Sequence, residues 1–274
     1  METILVPTDF SAAADNATDY AVQLAKYFNA KLILVNASAI PAVSSDSLIQ
    51  LEMYASLQQT SIDGLENLKK KILKNDNGLN IECFSETGYA YDVIIAATLK
   101  YKANLVVMGI IGEAGRIKEK IIGSTSVKIA KNTVTPVFII PESVKYHRIH
   151  KISFACDLKK TENSSIIYIA KYFAKVFDSE LEVVNVEYPN EEITIENAKS
   201  NLFVEKKLQN TNHKSVFITD NQVAKGLLEY FKLNPTDVVM LNPKKHSVFH
   251  NLFYESVTKE LAFHLQVPIL TAMD

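Results

Sequence analysis

The stretch NLVVMGIIGEAGRIKEKIIGSTSVKIAKNTVTP, Asn104 to Pro136, decides the fold. Leu105 to Met108 is a short apolar run of the kind that forms a buried parallel strand. Gly109, Gly112 and Gly115 follow it. After a basic segment, Gly123-Ser124-Thr125 opens an amphipathic helix carrying Val127, Ile129 and Ala130. The chain has only eight glycines and four of them fall here, which calls for a local reason. Positive φ, or close approach of backbone to a ligand, supplies one. Bare amides in such a loop, with those at the Ser124 helix start, form a cradle suited to phosphate. Arg116, Lys118 and Lys120 add positive charge nearby. The alternative is a Gly-rich strand-to-helix turn without a ligand.

Outward from this stretch, strands and helices alternate. Thr3 to Val6 is a β-rich run closed by Pro7-Thr8-Asp9, which brings a hydroxyl and a carboxylate into one loop. Ser11 fits an N-cap, with Ala21, Leu24, Ala25 and Phe28 at helical spacing behind it. Asn29 ends that helix, and Lys31 to Asn36 is a second buried strand. A strand, a helix and a strand in this space form a βαβ unit with a right-handed crossover. A long helix is predicted from Ser47 to Leu73, stopped by Asn75-Asp76-Asn77-Gly78. Asn80 to Ser85 is the third strand. Gly88 turns into a helix carrying Val93, Ile94, Ala97 and Leu99, and Pro136 to Ile140 is the fifth strand. This order predicts a doubly wound, open, five-stranded parallel sheet with helices on both faces. In such sheets ligands bind beyond the carboxyl ends of the strands, where Asp9 and Gly109 both fall.

The chain then repeats itself. LAKYFNAKLILVN, from Leu24, recurs as FAKVFDSELEVVN, from Phe173; NLVVMG, from Asn104, recurs as DVVMLN, from Asp237; TPVFII, from Thr135, recurs as VPILTA, from Val267. Asp157 follows the apolar run Ile152 to Cys156 as Asp9 follows its own strand. Two similar α/β domains, 1–142 and 149–274, account for the length, joined around Glu142 to Arg148. Seven of the eight glycines lie in the first copy. The second has Asn242, Lys245 and Glu255 at the places of Gly109, Gly112 and Gly123. Side chains there fill the space a phosphate needs, and Glu255 repels it. The first copy is therefore expected to bind nucleotide and the second not to.

Composition excludes several classes. A hydrophobic content of 47%, a charged content of 22% and a formal net charge of −2 describe a globular chain without the footprint for nucleic acid or anionic membrane. No apolar run approaches the ~18 residues that span a bilayer. The N-terminus METILVPTDF enters a strand directly, so a cytoplasmic protein is expected. Cys83 and Cys156 are too few for a disulfide framework and read as buried, inert thiols. His246 and His250 are four apart but lack the pattern of a metal site. No Walker-type phosphate loop and no nucleophile elbow occurs.

The residues resemble the universal stress protein family in its tandem two-domain form. The resemblance rests on ILVPTDFS, on Gly109-x2-Gly112 followed by Gly123-Ser124, and on the Pro136-Val137 strand; Gly112 and Gly123 stand one residue further apart than in the family pattern. It implies the adenine nucleotide alpha hydrolase-like fold and binding of ATP, or of AMP or ADP, with Mg2+ carried on the nucleotide. By resemblance, Asp9 meets the ribose hydroxyls, with Pro7 and Thr8 beside the base. The backbone of Val35 reads adenine, and Met108 and Gly109 line the sugar and α-phosphate. Gly112, Gly123, Ser124, Thr125 and Ser126 meet the phosphates. Family members pair through their last strands, so the two copies are expected to form an intramolecular pseudo-dimer, with further homo-oligomers open. Slow ATP hydrolysis at the same site and a nucleotide-free scaffold are the alternatives. For Asp9, the competing reading is a turn former at the helix entry.

Overall fold

A computed structural model of the protein describes all residues except 39–46, 112–123, 158–165, 190–194, 243–256, 259, 263 and 274. The chain divides into two compact units. One holds Met1–Ile111 and the described residues as far as Tyr146; the other holds the described residues from His147.

The first unit runs β1 (Thr3–Pro7), α1 (Ala12–Phe28), β2 (Lys31–Ser38), α2 (Ser47–Asn75), β3 (Ile81–Thr87), α3 (Ala90–Lys100), β4 (Leu105–Ile110), α4 (Ser124–Asn132) and β5 (Val137–Pro141). Its strands are all parallel, in the order β3-β2-β1-β4-β5. The central strands are apolar on both faces because helices cover both: Ile4, Leu5, Val6, Leu32 to Leu34 and Leu105 to Val107 are all buried. α1 starts where Ser11 Oγ accepts from the Ala14 amide at 3.3 Å. It ends at Asn29, which takes a left-handed φ of 51°, and the Ala30 amide turns back to the Ala25 carbonyl at 2.9 Å. The half-buried Cys83 thiol donates to the Leu65 carbonyl, and burial pushes its pKa up to about 11, so it is inert without being fully enclosed.

Gly109 has a packing reason that the sequence does not announce. A Cβ there would lie 2.3 Å from the carbonyl oxygen of Ala13 and 2.5 Å from its carbon. The first turn of α1 thus rests directly on β4, and the φ of Gly109 lies outside the left-handed region. Helix contact, rather than unusual backbone conformation, requires glycine at this position. Asn16, one turn further along, secures the same helix to the end of β5. Its Nδ2 donates to the carbonyls of Pro141 (3.0 Å) and Val144 (2.7 Å), and its Oδ1 accepts from Lys145 Nζ at 2.8 Å.

The second unit runs β6 (Lys151–Ala155), α5 (Ile166–Phe177), β7 (Glu180–Glu187), α6 (Ile195–Lys207), β8 (His213–Thr219), α7 (Val223–Leu233), β9 (Val238–Leu241) and β10 (Ile269–Thr271). Its parallel order, β8-β7-β6-β9-β10, repeats that of the first. Strand registers make the repeat exact to the residue. Thr3 pairs Lys31 as Lys151 pairs Glu180, and Ile4 pairs Leu105 as Ile152 pairs Val238. Cys156, Asp157, Val184 and Asn242 therefore stand where Thr8, Asp9, Val35 and Gly109 stand in the first unit.

One carboxylate is buried inside the second sheet. Glu182, 1% exposed, accepts from Ser153 Oγ (2.7 Å) and Tyr230 OH (3.0 Å) and pairs with Lys151 (3.0 Å) and Lys214 (3.2 Å). Burial by itself would raise its pKa. The bonds from Ser153, Lys151, Lys214 and Tyr230 outweigh burial and hold it below the ordinary carboxylate value. Burial and Glu182 together push the Tyr230 hydroxyl up to about 12.

Two outcomes follow from this packing. Gly109→Ala should lower the stability of the first unit by about 2–3 kcal/mol through overpacking against Ala13, read as a urea-midpoint shift. Because its folded pKa is depressed, the stabilisation from Glu182 is complete above the unfolded pKa and lost as pH falls through the folded one. Acid titration of the wild type should show this loss. Glu182→Gln should be less stable at neutral pH by about 3 kcal/mol and show a flatter acid limb.

Candidate functional site

The site is built where β1 stops pairing. The β1–β2 ladder covers five residue pairs, from Thr3–Lys31 to Pro7–Val35. The β1–β4 ladder covers only two, Ile4–Leu105 and Leu5–Val106. Alternation explains the difference. The Thr8 amide bonds the Val35 carbonyl at 2.8 Å, so even-numbered residues of β1 face β2 and odd-numbered ones face β4. Pro7 is odd. Its missing N–H falls on the β4 side, and the hydrogen-bonded seam ends there.

The loop beyond Pro7 is held by its own side chains. Thr8 Oγ1 accepts from the Phe10 amide (2.9 Å) and Asp9 Oδ1 from the Ser11 amide (3.0 Å). The turn-forming role of Asp9 is thus real, and it occupies one carboxylate oxygen. Asp9 is solvent-exposed, and its other oxygen has no protein partner among the described residues. That oxygen can accept from an outside donor.

Val35 does not fit the part the resemblance gives it. It is buried, and its carbonyl is taken by the Thr8 amide. Ala37 fits better. In β2 the Lys31 amide bonds Glu2 on the β1 side, while Leu32 bonds Asn80 and the Ser38 carbonyl bonds Gly88 on the β3 side. Ala37 therefore points its amide and carbonyl toward β1, two residues past the last β1–β2 pair. The Thr8 carbonyl, which the Ala37 amide would otherwise reach, accepts from Asn36 Nδ2 at 2.7 Å. Asn36 Oδ1 in turn accepts from Ser61 Oγ of α2 at 2.6 Å, and Ser61 shares a hydrogen bond with Ser85 Oγ at 2.6 Å. Sequence reading missed this chain; the polar Asn36 inside an apolar strand was the available signal.

On the far side of the seam, Met108 is buried and Gly109 partly exposed. Ser126 Oγ donates to the Gly109 carbonyl at 2.9 Å, so its hydroxyl hydrogen is spent on fixing α4 to β4. Ser124 and Thr125 form the first turn of α4, adjacent to that anchor. Gly112 and Gly123 lie outside the described residues, as do Arg116, Lys118, Lys120, His246 and His250.

The second unit differs at the decisive point. Ala155 stands in place of Pro7 and has its N–H, and the β6–β9 ladder runs through four pairs to Ala155–Leu241. Asn242 is buried, and neither atom of its amide has a hydrogen-bond partner among the described residues.

Comparison with known proteins agrees with this architecture. A family profile described as the universal stress protein family matches residues 1–141. A universal stress protein of Methanocaldococcus jannaschii is 28% identical over 144 residues, covering 52% of this chain and 83% of its own. The universal stress protein YxiE of Bacillus subtilis is 27% identical over 146 residues, covering 50% of this chain and 97% of its own. A solved universal stress protein of Archaeoglobus fulgidus shares the fold, with a TM-score of 0.75 at 16% identity over 99% of this chain and 98% of that one. Among the described residues no helix is long and apolar enough to cross a membrane. With the profile covering more than half of its length, the chain belongs to the universal stress protein family.

Proposed function

We propose that the first unit binds an adenine nucleotide, ATP or alternatively AMP or ADP, across the seam between β1 and β4. The observation that carries this reading is the contrast in ladders: two pairs where Pro7 stands, four where Ala155 stands. Groups suited to each part of a nucleotide border the open seam. The unpartnered oxygen of Asp9 suits a ribose hydroxyl, and the Ala37 amide and carbonyl supply the donor and acceptor that an adenine edge requires. Amides at the start of α4, around Ser124 and Thr125, suit phosphate, and Gly112 and Gly123 keep the phosphate role that the family resemblance implies. Any Mg2+ would arrive on the phosphates. The second unit, with its ladder continued and Asn242 in place of glycine, acts as a covalently attached partner rather than a second site. A cytoplasmic setting belongs to the same proposal.

Slow hydrolysis is the weaker reading, since Asp9 is a single carboxylate with one oxygen already engaged by Ser11. A nucleotide-free scaffold is favoured by the committed hydroxyl of Ser126 and by Ile111, 45% exposed beside the seam.

Calorimetric titration of the full chain with ATP, ADP and AMP separates these readings, and absence of binding would leave the scaffold. Asp9→Ala should weaken ATP binding about 10–30-fold. Removing a ribose hydroxyl from the ligand should weaken binding to the wild type but not weaken it further in Asp9→Ala. Pro7→Ala restores the missing donor. It should extend the β1–β4 ladder, leave the thermal midpoint unchanged or higher, and weaken ATP binding several-fold.

A further inference from the structure

We infer that Gly64, in the middle of α2, is a positioning residue for Asp9, acting through the ring of Phe10. The inference rests on the proposed nucleotide site and adds a determinant from outside its lining. Phe10 follows Asp9 and takes a φ of 62°, a left-handed conformation that a bulky side chain adopts only under constraint. Its ring supplies the constraint. A Cβ on Gly64 would lie 2.6 Å from Phe10 Cζ and 3.0 Å from Cε2. The ring therefore lies flat on bare helix backbone, yet Phe10 remains 40% exposed, so deep burial is not what holds it.

Glycine inside a helix is less favourable than alanine, which makes a tertiary contact the reason for its presence. Ser61 stands three residues earlier on α2, a spacing that puts both positions on one helix face. It reaches Asn36, and Asn36 holds the Thr8 carbonyl. One face of α2 thus grips the loop on both sides of Asp9, by hydrogen bonds at Thr8 and by ring contact at Phe10. The amides of Phe10 and Ser11 close the turn onto Thr8 Oγ1 and Asp9 Oδ1. Shifting the ring moves the carboxylate through the peptide bond that joins Phe10 to Asp9.

The test uses the full chain and four forms: wild type, Gly64→Ala, Phe10→Ala and the double variant. Gly64→Ala improves helix propensity and meets only a movable ring, so its thermal midpoint should equal or exceed that of the wild type. Its affinity for ATP should nevertheless fall on the order of tenfold. Hydrogen exchange at the Phe10 and Ser11 amides should quicken. In the Phe10→Ala background the Gly64→Ala change should alter neither affinity nor the Ser11 exchange rate. Unchanged affinity and exchange in Gly64→Ala would overturn the inference, as would equal losses in both backgrounds. If the wild type binds no ATP, the nucleotide reading fails separately. The exchange rates then decide alone whether Gly64 positions the loop.

Discussion

A proline cannot donate a backbone hydrogen bond, and at residue 7 that deficiency falls on one side of the strand only. Thr8 still bonds Val35, so β1 stays attached to β2 through its carboxyl end. Toward β4 the pairing ends two residues earlier. The Asp9 loop consequently belongs mechanically to β2 and α2, while Gly109 and the start of α4 belong to β4 and β5. A nucleotide-sized ligand bridging sugar and phosphate needs groups from both sides of such a seam.

Gly109 is where the two sides are brought within reach. Because it has no Cβ, the first turn of α1 can lie on β4 at Ala13, which draws the loop leading into α1 toward the end of β4. Its carbonyl receives Ser126, so α4 is anchored to the same residue. Asn16 binds α1 to the end of β5 and the segment after it, which limits how far α1 can move without breaking these hydrogen bonds. Removing the glycine would therefore disturb fold and site together. Changes at Asp9 or Gly64 separate binding from folding more cleanly, because neither residue lies in the sheet.

The second unit retains the register and loses the opening. Ala155 supplies the hydrogen bond that Pro7 cannot, and Asn242 puts a side chain where α1 touches bare backbone in the first unit. An apolar residue would fill that space at less cost than a buried amide without a partner among the described residues, which is unfavourable by roughly 1–3 kcal/mol. The change at this position is therefore not one toward a better-packed core.

Local chemistry made much of the fold legible in advance. Ser11 and Asn29 bound α1 as their cap chemistry requires, and the apolar runs became strands within about two residues of their expected ends. What escaped depends on pairing across the sheet. Glu182 looks solvent-facing in ELEVV until its neighbours on β6, β8 and α7 are known. The misassignment of Val35 has the same origin. Along β2 the backbone groups of successive residues alternate between β1 and β3, so an error of two positions changes a paired amide into a free one. Val35 is the last residue whose carbonyl β1 can use; Ala37 has the same orientation and lies beyond that strand. Even so, Ala37 would be drawn onto the Thr8 carbonyl if nothing else claimed it. The Asn36 side chain makes that claim, replacing a ladder bond with a side-chain bond and leaving the next amide turned toward the seam. An asparagine that reads as a flaw in an apolar strand is, by this account, what keeps the backbone beside it available.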